Sequence, residues 1–362
     1  MDAALARLVD RIRAASAQGS PLRIRGGGSK DFFGEQLQGD LLETAELRGI
    51  VNYEPSELVV TVRAGTPLAE LEQVLAASGQ CLPFEPPHFG PGATVGGMVA
   101  AGLSGPARAS AGAVRDYMLG VVIVNGRAEE LVFGGQVMKN VAGYDVSRLM
   151  AGAMGTLGLI TEVSLKVLPV PLAEATLRFA MDQAEALRRL NAWGGQPLPL
   201  NASCWRQESG AGTLDLRLRG AVAAVESACA SLGGERLDNT AAAAQWNAVR
   251  EQRMPWFTEQ GGRDLWRLSV PQTAPVLDLP GSPLVEWHGG ERWVRAEAAD
   301  GRRVREAAVR AGGHATLWRT GRADAQGRMT PLAPALATIH KNLKSQFDPA
   351  GILNRGRLYP DF

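Results

Sequence analysis

In GGQVMKNVAGYDVSRLMAGAMGTLGLITEVSLKVLP (residues 134–169), small residues crowd around one short helix, and the chain then runs into an alternating strand. Ala142, Gly143, Gly152, Ala153, Gly155 and Gly158 leave the backbone uncovered, so another object can lie against the main chain. Two earlier patches share this character, RIRGGGSK (23–30) and FGPGATVGGMVAAGLSGP (89–106). Three such patches in the first half of the chain point to a large, flat, phosphate-bearing ligand.

In RIRGGGSK a strand ends at Arg25 and is followed by Gly26, Gly27, Gly28, Ser29 and Lys30. Consecutive glycines let several backbone N–H groups converge on an anion, while Ser29 adds a hydroxyl and Lys30 a charge. A tight turn is the alternative reading. In the second patch, prolines including Pro87 stiffen the entry, and Gly92, Ala93, Thr94, Gly96 and Gly97 precede an apolar helical run. Free N–H groups at a helix start favour a diphosphate; close helix packing through Gly and Ala is the alternative. Neither patch is the GxGxxG fingerprint, which follows a strand directly, and GxxxxGK[ST] is absent. Gly makes up 43 of 362 residues, so no single glycine cluster is decisive.

Lys plus Arg is 38 and Asp plus Glu 37, a net charge of +1 that offers no field to steer nucleic acid or an anionic membrane. The first residues, MDAALARLVDRIRAAS, read as an amphipathic helix (Leu5, Leu8, Val9, Ile12), not a signal peptide. No run approaches the length of a membrane span, so direct membrane insertion is not expected. Cys81, Cys204 and Cys229 are widely spaced, which excludes a self-contained iron–sulfur or Cys-type zinc site and fits a reducing cytoplasm. No metal site is expected.

PLRIRG, GIVNYE, ELVVTVRAG and LGVVIV read as strands, and Asn125-Gly126 before EELVF as a hairpin turn. Thr66-Pro67 opens a helix that stops at Gly79, with Thr66 as its cap. A boundary falls at Pro169–Pro171, beyond which the texture changes, with all eight Trp after residue 190. Strands are expected at 175–180, 202–207, 213–220, 266–270, 283–288, 291–296 and 314–319, with helices at 181–193, 222–232 and 302–312. Near the end, Leu336, Ile339, Leu343 and Phe347 share one helical face.

Taken in order, RGGGSK, PGATVGG, AGAVRDYMLGVVIVNG, GGQVMKNVAGYD, GTLGLITEVSLKVLP and FDPAGILNRGRLY resemble the vanillyl-alcohol oxidase/PCMH-type FAD-binding superfamily. Within it they resemble the smaller FAD-binding subunits of bacterial glycolate oxidase (glycolate dehydrogenase). LWRLSVP (265–271) and GGHATLWR (312–319) extend the resemblance through most of the chain. The resemblance implies an α+β protein: a PCMH-type FAD-binding domain of two α/β subdomains (1–172), a smaller α+β cap or substrate domain (173–330), and a helix and loop (331–362) returning to the first domain. The flat ligand is then FAD. The Arg25–Lys30 loop and the Gly92–Gly97 turn would hold its pyrophosphate. Arg115 and Asp116 would support the adenine side. Gly155, Gly158 and Ile160 would present backbone to ribose and flavin, and Lys139, Asn140, Tyr144 and Asn354 would approach the flavin region. Some relatives attach FAD through a His in the RGGGS loop; Ser29 stands there, so FAD is expected to be non-covalent.

The implied activity is oxidation of glycolate, a small 2-hydroxy acid, to glyoxylate, with electrons passing to an iron–sulfur partner subunit. Related 2-hydroxyacid dehydrogenases carry a metal-binding HxGDGNxH stretch that this sequence lacks; a larger FAD-binding subunit of the same complex would supply it. The expected location is the cytoplasm, peripheral to the inner membrane through the complex. Two alternatives are a structural or electron-relay subunit without turnover, and a free-standing NADPH-dependent reductase like the cell-wall enolpyruvyl-sugar reductase. No catalytic residue is assigned. His88 faces flavin or solvent, His314 is structural, and His288 and His340 are expected at the surface. Arg253, Arg267 and Arg319 are candidate cations for a carboxylate but read first as surface pairs, and the Trp set as core.

Overall fold

The computed structural model describes residues 2–135, 145–208, 210–258, 261–322, 325 and 327–362. The chain divides into two compact units: Met1–Leu103, Ala113–Val170 and Pro331–Phe362 form the first, and Ser104–Gly112 and Pro171–Thr330 the second. The short segment Ser104–Gly112 therefore belongs to the second unit, although sequence order places it inside the first domain.

The first unit is built on a five-stranded antiparallel sheet in the order Ile50–Glu54, Val59–Arg63, Leu159–Lys166, Met118–Val124, Glu130–Gly134. Val60, Val62, Val163 and Leu165 of its inner strands pack with Leu68, Leu71 and Leu75 of the helix Leu68–Ala77. Those helical positions are three and four apart, the spacing that makes one apolar stripe. Thr66 does not cap this helix; its Oγ1 accepts from Gly49 N–H at 2.9 Å. A smaller two-stranded parallel pair, Leu22–Arg25 with Asp40–Glu43, lies under the helix Ala3–Gln18. Asp2 caps that helix by accepting from Leu5 N–H at 2.8 Å, and Leu8, Val9 and Ile12 are buried against Leu22, Leu42 and Leu353.

The hairpin at Asn125 forms with a loop rather than a two-residue turn. Asn125 Oδ1 accepts from Arg127 N–H (2.9 Å) and Glu129 N–H (3.0 Å), and the positive φ of 60° falls on Ala128. Gly126 is needed for space: a Cβ there would lie 2.3 Å from Asp348 Oδ1. In the terminal helix Pro334–Phe347, Leu343 and Phe347 pack on the sheet core, but Leu336 and Ile339 are 50% and 52% exposed. The apolar face read from the sequence is covered over its second half only.

The second unit holds an eight-stranded antiparallel sheet in the order Glu235–Arg236, Ala173–Ala180, Ala211–Gly220, Leu200–Glu208, Leu284–Glu286, Glu291–Ala296, Asp264–Ser269, His314–Arg319. One face packs on the helices Gln183–Gly194 and Val222–Leu232 through Leu187, Leu190, Leu214 and Leu216, and on Gly301–Arg310 through Trp266, Val304 and Ala308. Cross-strand register puts Arg178, Asp215, Glu286, Glu291 and Arg267 on the other face. A helix unforeseen from the sequence, Asn239–Arg250, bonds to that face: Trp246 Nε1 donates to Thr176 Oγ1 (3.0 Å) and Gln245 Nε2 to Asp215 Oδ2 (2.6 Å). Every tryptophan but Trp256 is buried. The strand expected to reach 288 stops at Glu286, because Trp287 and His288 both take a left-handed conformation, φ 53° and 55°.

Candidate functional site

The strand Leu22–Arg25 delivers the chain into the glycine loop, and the loop meets the Gly92 turn main chain to main chain. A Cβ on Gly27 would lie 1.4 Å from Gly92 O, and one on Gly26 would lie 2.3 Å from Thr94 Oγ1. No other residue type fits, which is the physical reason for the glycines. The N–H groups of Gly26, Gly27, Gly28 and Ser29 make no hydrogen bond among the described residues. Gly28, at φ 72°, turns the loop, and its carbonyl accepts from Asp31 N–H at 3.1 Å. Lys30 Nζ donates to His88 O at 3.2 Å and lies 3.4 Å from Ser29 Oγ, and Arg25 Nε pairs with Asp31 Oδ2 at 2.8 Å. The result is a run of available backbone donors flanked by an ammonium.

These groups form one wall of an open cleft with about 770 Å³ of empty space. Thr94, Gly96 and Gly97 also line it, with Ala100 and Ala101 of the helix Val95–Ala101. Gly155, Gly158 and Ile160 line it too, with Met154 and Asn354. Gly155 has φ 73°, and a Cβ on it would lie 2.8 Å from Asn354 Nδ2. Bare backbone contributed by three stretches of chain suits a thin, flat ligand.

One expectation about this cleft is corrected. The helix Val95–Ala101 does not offer free N–H groups at its start. Val95 N–H donates to Thr66 O (2.9 Å), Gly96 N–H to Ala64 O (2.7 Å) and Gly97 N–H to the Thr94 Oγ1 cap (3.2 Å). Preceding residues and the cap take up these donors, so the amides left available at the cleft include those of residues 26–29. Gly92 serves by letting Gly27 approach, and Ala93 is buried, its carbonyl accepting from Leu68 N–H at 2.8 Å. Pro87 is buried in the loop entry, and none of these three lines the cleft. Arg115 and Asp116 also lie off it, 4.0 Å apart, and Asp116 Oδ2 accepts from Ala113 N–H at 2.8 Å. Lys139, Asn140 and Tyr144 fall outside the described residues.

The C-terminal segment fastens this cleft. Asn354 lines it, but both ends of its amide are committed: Oδ1 accepts from Ile24 N–H (2.7 Å) and Nδ2 donates to Met154 O (2.6 Å). Two residues the sequence reading did not single out do comparable work. Buried Arg357 donates to Asp31 O at 2.9 Å, to Lys30 O at 3.3 Å and to Glu35 O, bracing the glycine loop from behind. Buried Lys344 donates to Thr156 O (2.8 Å), Leu353 O (2.7 Å) and Asp348 Oδ2 (2.7 Å); burial holds its pKa below the usual lysine value, against the pull of Asp348. In sequence both look like ordinary basic residues of a helix and a tail.

Of the histidines, half-buried His88 pairs with Glu72 at 3.0 Å. His340 packs edge-on against Tyr359. His314 begins the last strand of the second unit. His288 is not at the surface: it is buried, with Nε2 at 2.9 Å from Ser110 Oγ, and burial pushes its pKa down to about 4. Arg267 is likewise no surface pair, for it bonds Glu291 among three indole rings. Arg253 donates to Asn247 Oδ1, and burial lowers the pKa of Arg319. Among the described residues, no helix is long and apolar enough to cross a membrane.

Residues 4–134 match the family described as an FAD binding domain. The chain is 45% identical over 354 residues to glycolate oxidase subunit GlcE of Escherichia coli (strain K12), covering 98% of this chain and 97% of that protein. It is 33% identical over 147 residues to a D-lactate dehydrogenase of Anaerostipes hadrus, 41% of this chain and 30% of that one. To glycolate oxidase subunit GlcD of Bacillus subtilis (strain 168) it is 30% identical over 137 residues, 38% of this chain and 29% of that protein. Among solved structures, an alkyldihydroxyacetonephosphate synthase shares the fold with a TM-score of 0.66 at 15% identity, over 96% of this chain and 74% of that one.

Proposed function

The chain belongs to the family of FAD-binding glycolate oxidase subunits, and from that premise we propose that it is a flavin-carrying subunit of a complex that oxidises glycolate, or a closely related 2-hydroxy acid, to the 2-oxo acid. FAD is its cofactor. The observation that carries this reading is the run of four unpaired amides at Gly26–Ser29, with Gly27 packed so tightly on Gly92 that only glycine fits at that position. Those amides and the Lys30 ammonium hold the pyrophosphate, and the bare backbone of Gly155 and Gly158, with Ile160, lies along the flat remainder. Ser29 offers no imidazole for attachment, so the cofactor is held without a covalent bond.

When bound, FAD supplies two-electron redox chemistry. The chain's own part is to grip the phosphates, to keep the slot narrow through Asn354 and Met154, and to brace the glycine loop through Arg357. Electrons leave through an iron–sulfur partner subunit, and a larger FAD-binding subunit completes the assembly, which lies in the cytoplasm against the inner membrane. A second reading, an electron-relay subunit without turnover of its own, is favoured by the absence of an HxGDGNxH stretch from the sequence.

Purification of the chain with its partners tests both readings. The preparation should be yellow, release FAD on acid denaturation, and bleach on anaerobic addition of glycolate. A chain colourless even after incubation with excess FAD overturns the flavin reading. Bleaching that persists in the assembly when this chain's Gly27 is replaced by Ala, with its own flavin lost, assigns turnover to the partner and leaves this chain the relay.

A further inference from the structure

The second unit's sheet face that carries Arg267 and Glu291 holds a group of residues that the flavin cleft does not use. Arg267, on the strand Asp264–Ser269, stands beside Trp293 in register, and Ser269 stands beside Glu291. Arg267 Nε donates to Glu291 Oε1. Its guanidinium carbon lies 4.9 Å from the Trp287 ring, 5.5 Å from Trp318 and 5.9 Å from Trp293. All three indole N–H groups are already committed, to Gly105 O (3.0 Å), Gln252 Oε1 (2.8 Å) and Glu286 Oε1 (3.0 Å). The three rings are buried and pack against the guanidinium, which keeps its outer edge toward the surface.

Glu286 and Glu291 are directly paired across adjacent strands and both are buried. Burial and the charge of Glu291 push the Glu286 pKa well up, and burial raises that of Glu291 too, against the pull of Arg267 and Arg108. The Arg108 Cζ lies 4.5 Å from the Trp287 ring that Arg267 also meets. Burial and the charge of Arg267 lower the pKa of His314 on the next strand. Neither terminal nitrogen of Arg267 has a hydrogen-bond partner among the described residues, and 21% of the side chain is exposed. A guanidinium edge without protein partners, set among indole rings, is matched by a planar anion.

The backbone supports the same conclusion. Trp287 and His288 are consecutive left-handed residues, a strained conformation for side chains of this size. Bonds to Gly105 O, Ser203 Oγ and Ser110 Oγ hold them there, and the outcome is a Trp287 ring laid on both arginines. His288 Nδ1 stays buried without a partner beside it.

We propose that the outer edge of Arg267 binds a small carboxylate anion, with Trp287, Trp293 and Trp318 packed against the guanidinium that holds it. The site stands on its own geometry; that the anion is a 2-hydroxy acid rests on the function proposed above. Three indoles touch the binding guanidinium, so binding reports itself without turnover. Titration of the intact chain with glycolate should give a saturable change in tryptophan fluorescence, and the neutral isostere glycolamide should give none. Arg267→Gln should weaken the response by about tenfold or more, as expected when a charge-assisted pair is lost. Should that variant fail to fold, Glu291→Gln, which removes the competing carboxylate, should instead tighten glycolate binding. No saturable response in the wild-type chain, an equal response to glycolamide, or unchanged binding in both variants overturns the proposal. A colourless chain that still binds glycolate through Arg267 keeps this site and removes the flavin reading; a yellow chain without the response does the reverse.

Discussion

The glycine loop shows how single positions set this chemistry. Gly27→Ala forces a methyl onto Gly92 O, which no rotamer change relieves; overpacking of this kind costs about 1–3 kcal/mol. The expected result is a folded chain that no longer retains FAD, read as lost 450 nm absorbance with a small drop in Tm. Lys344→Met takes the cation from buried Asp348, which keeps only the Ile352 and Leu353 N–H groups, and leaves two buried carbonyls without this donor; the cost is about 3–5 kcal/mol, measurable by urea unfolding. His288 sets a pH dependence. Its folded pKa of about 4 lies below the ordinary 6.5, so the unfolded chain takes up the proton first and stability falls as pH drops from 6.5 toward 4. From pH 7 to pH 5 the loss is about 2 kcal/mol from this group, and His288→Gln should flatten that part of the profile. The glycine run at residues 26–28 is visible in the sequence with two readings, an anion cradle or a tight turn; that the amides of Gly26–Ser29 have no partner came only with the packing. Arg357 and Lys344 were not, because a basic side chain reveals nothing of the carbonyls it meets until distant loops surround it.

Elements were read well where periodicity was strong and poorly where neighbours decided the outcome. The helix Val95–Ala101 was visible, yet its N-terminal amides are spent on Ala64, Thr66 and Thr94 rather than kept for a ligand. Thr94→Ala should cost about 1 kcal/mol through loss of the cap, seen as a lower unfolding midpoint. The helix Asn239–Arg250 escaped notice because its run of alanines makes a weak stripe; only Ala242, Trp246 and Val249 are buried, and the Asp238 cap was the one clear start signal. The terminal helix illustrates the opposite case. Its stripe is complete in sequence, but Leu336 and Ile339 are exposed, so changing both to Ser should leave chain stability within about 0.5 kcal/mol. Phe347→Ala, which removes a ring packed edge-on against Phe133, should cost about 2 kcal/mol by the same assay.

Over the molecule as a whole, chain order and spatial order diverge. The first unit is assembled from three separated segments, the last of them residues 331–362, and closing such long loops is what makes folding slow. A chain stopped after residue 330 loses Lys344, Asn354 and Arg357 together. It should fail to retain FAD even though residues 25–30 are intact, and absorbance after gel filtration would check this. Periodicity, glycine runs and turn residues are local, so most strands and the position of the glycine loop could be read from the linear chain, while the α+β class came with the family resemblance. Burial and charge balance are not local. That His288 lies inside, that Ser104–Gly112 joins the second unit, and that Arg267 stands open among three indoles were settled only when strand register and packing placed distant residues side by side, because a side chain's solvation depends on neighbours that sequence distance does not record.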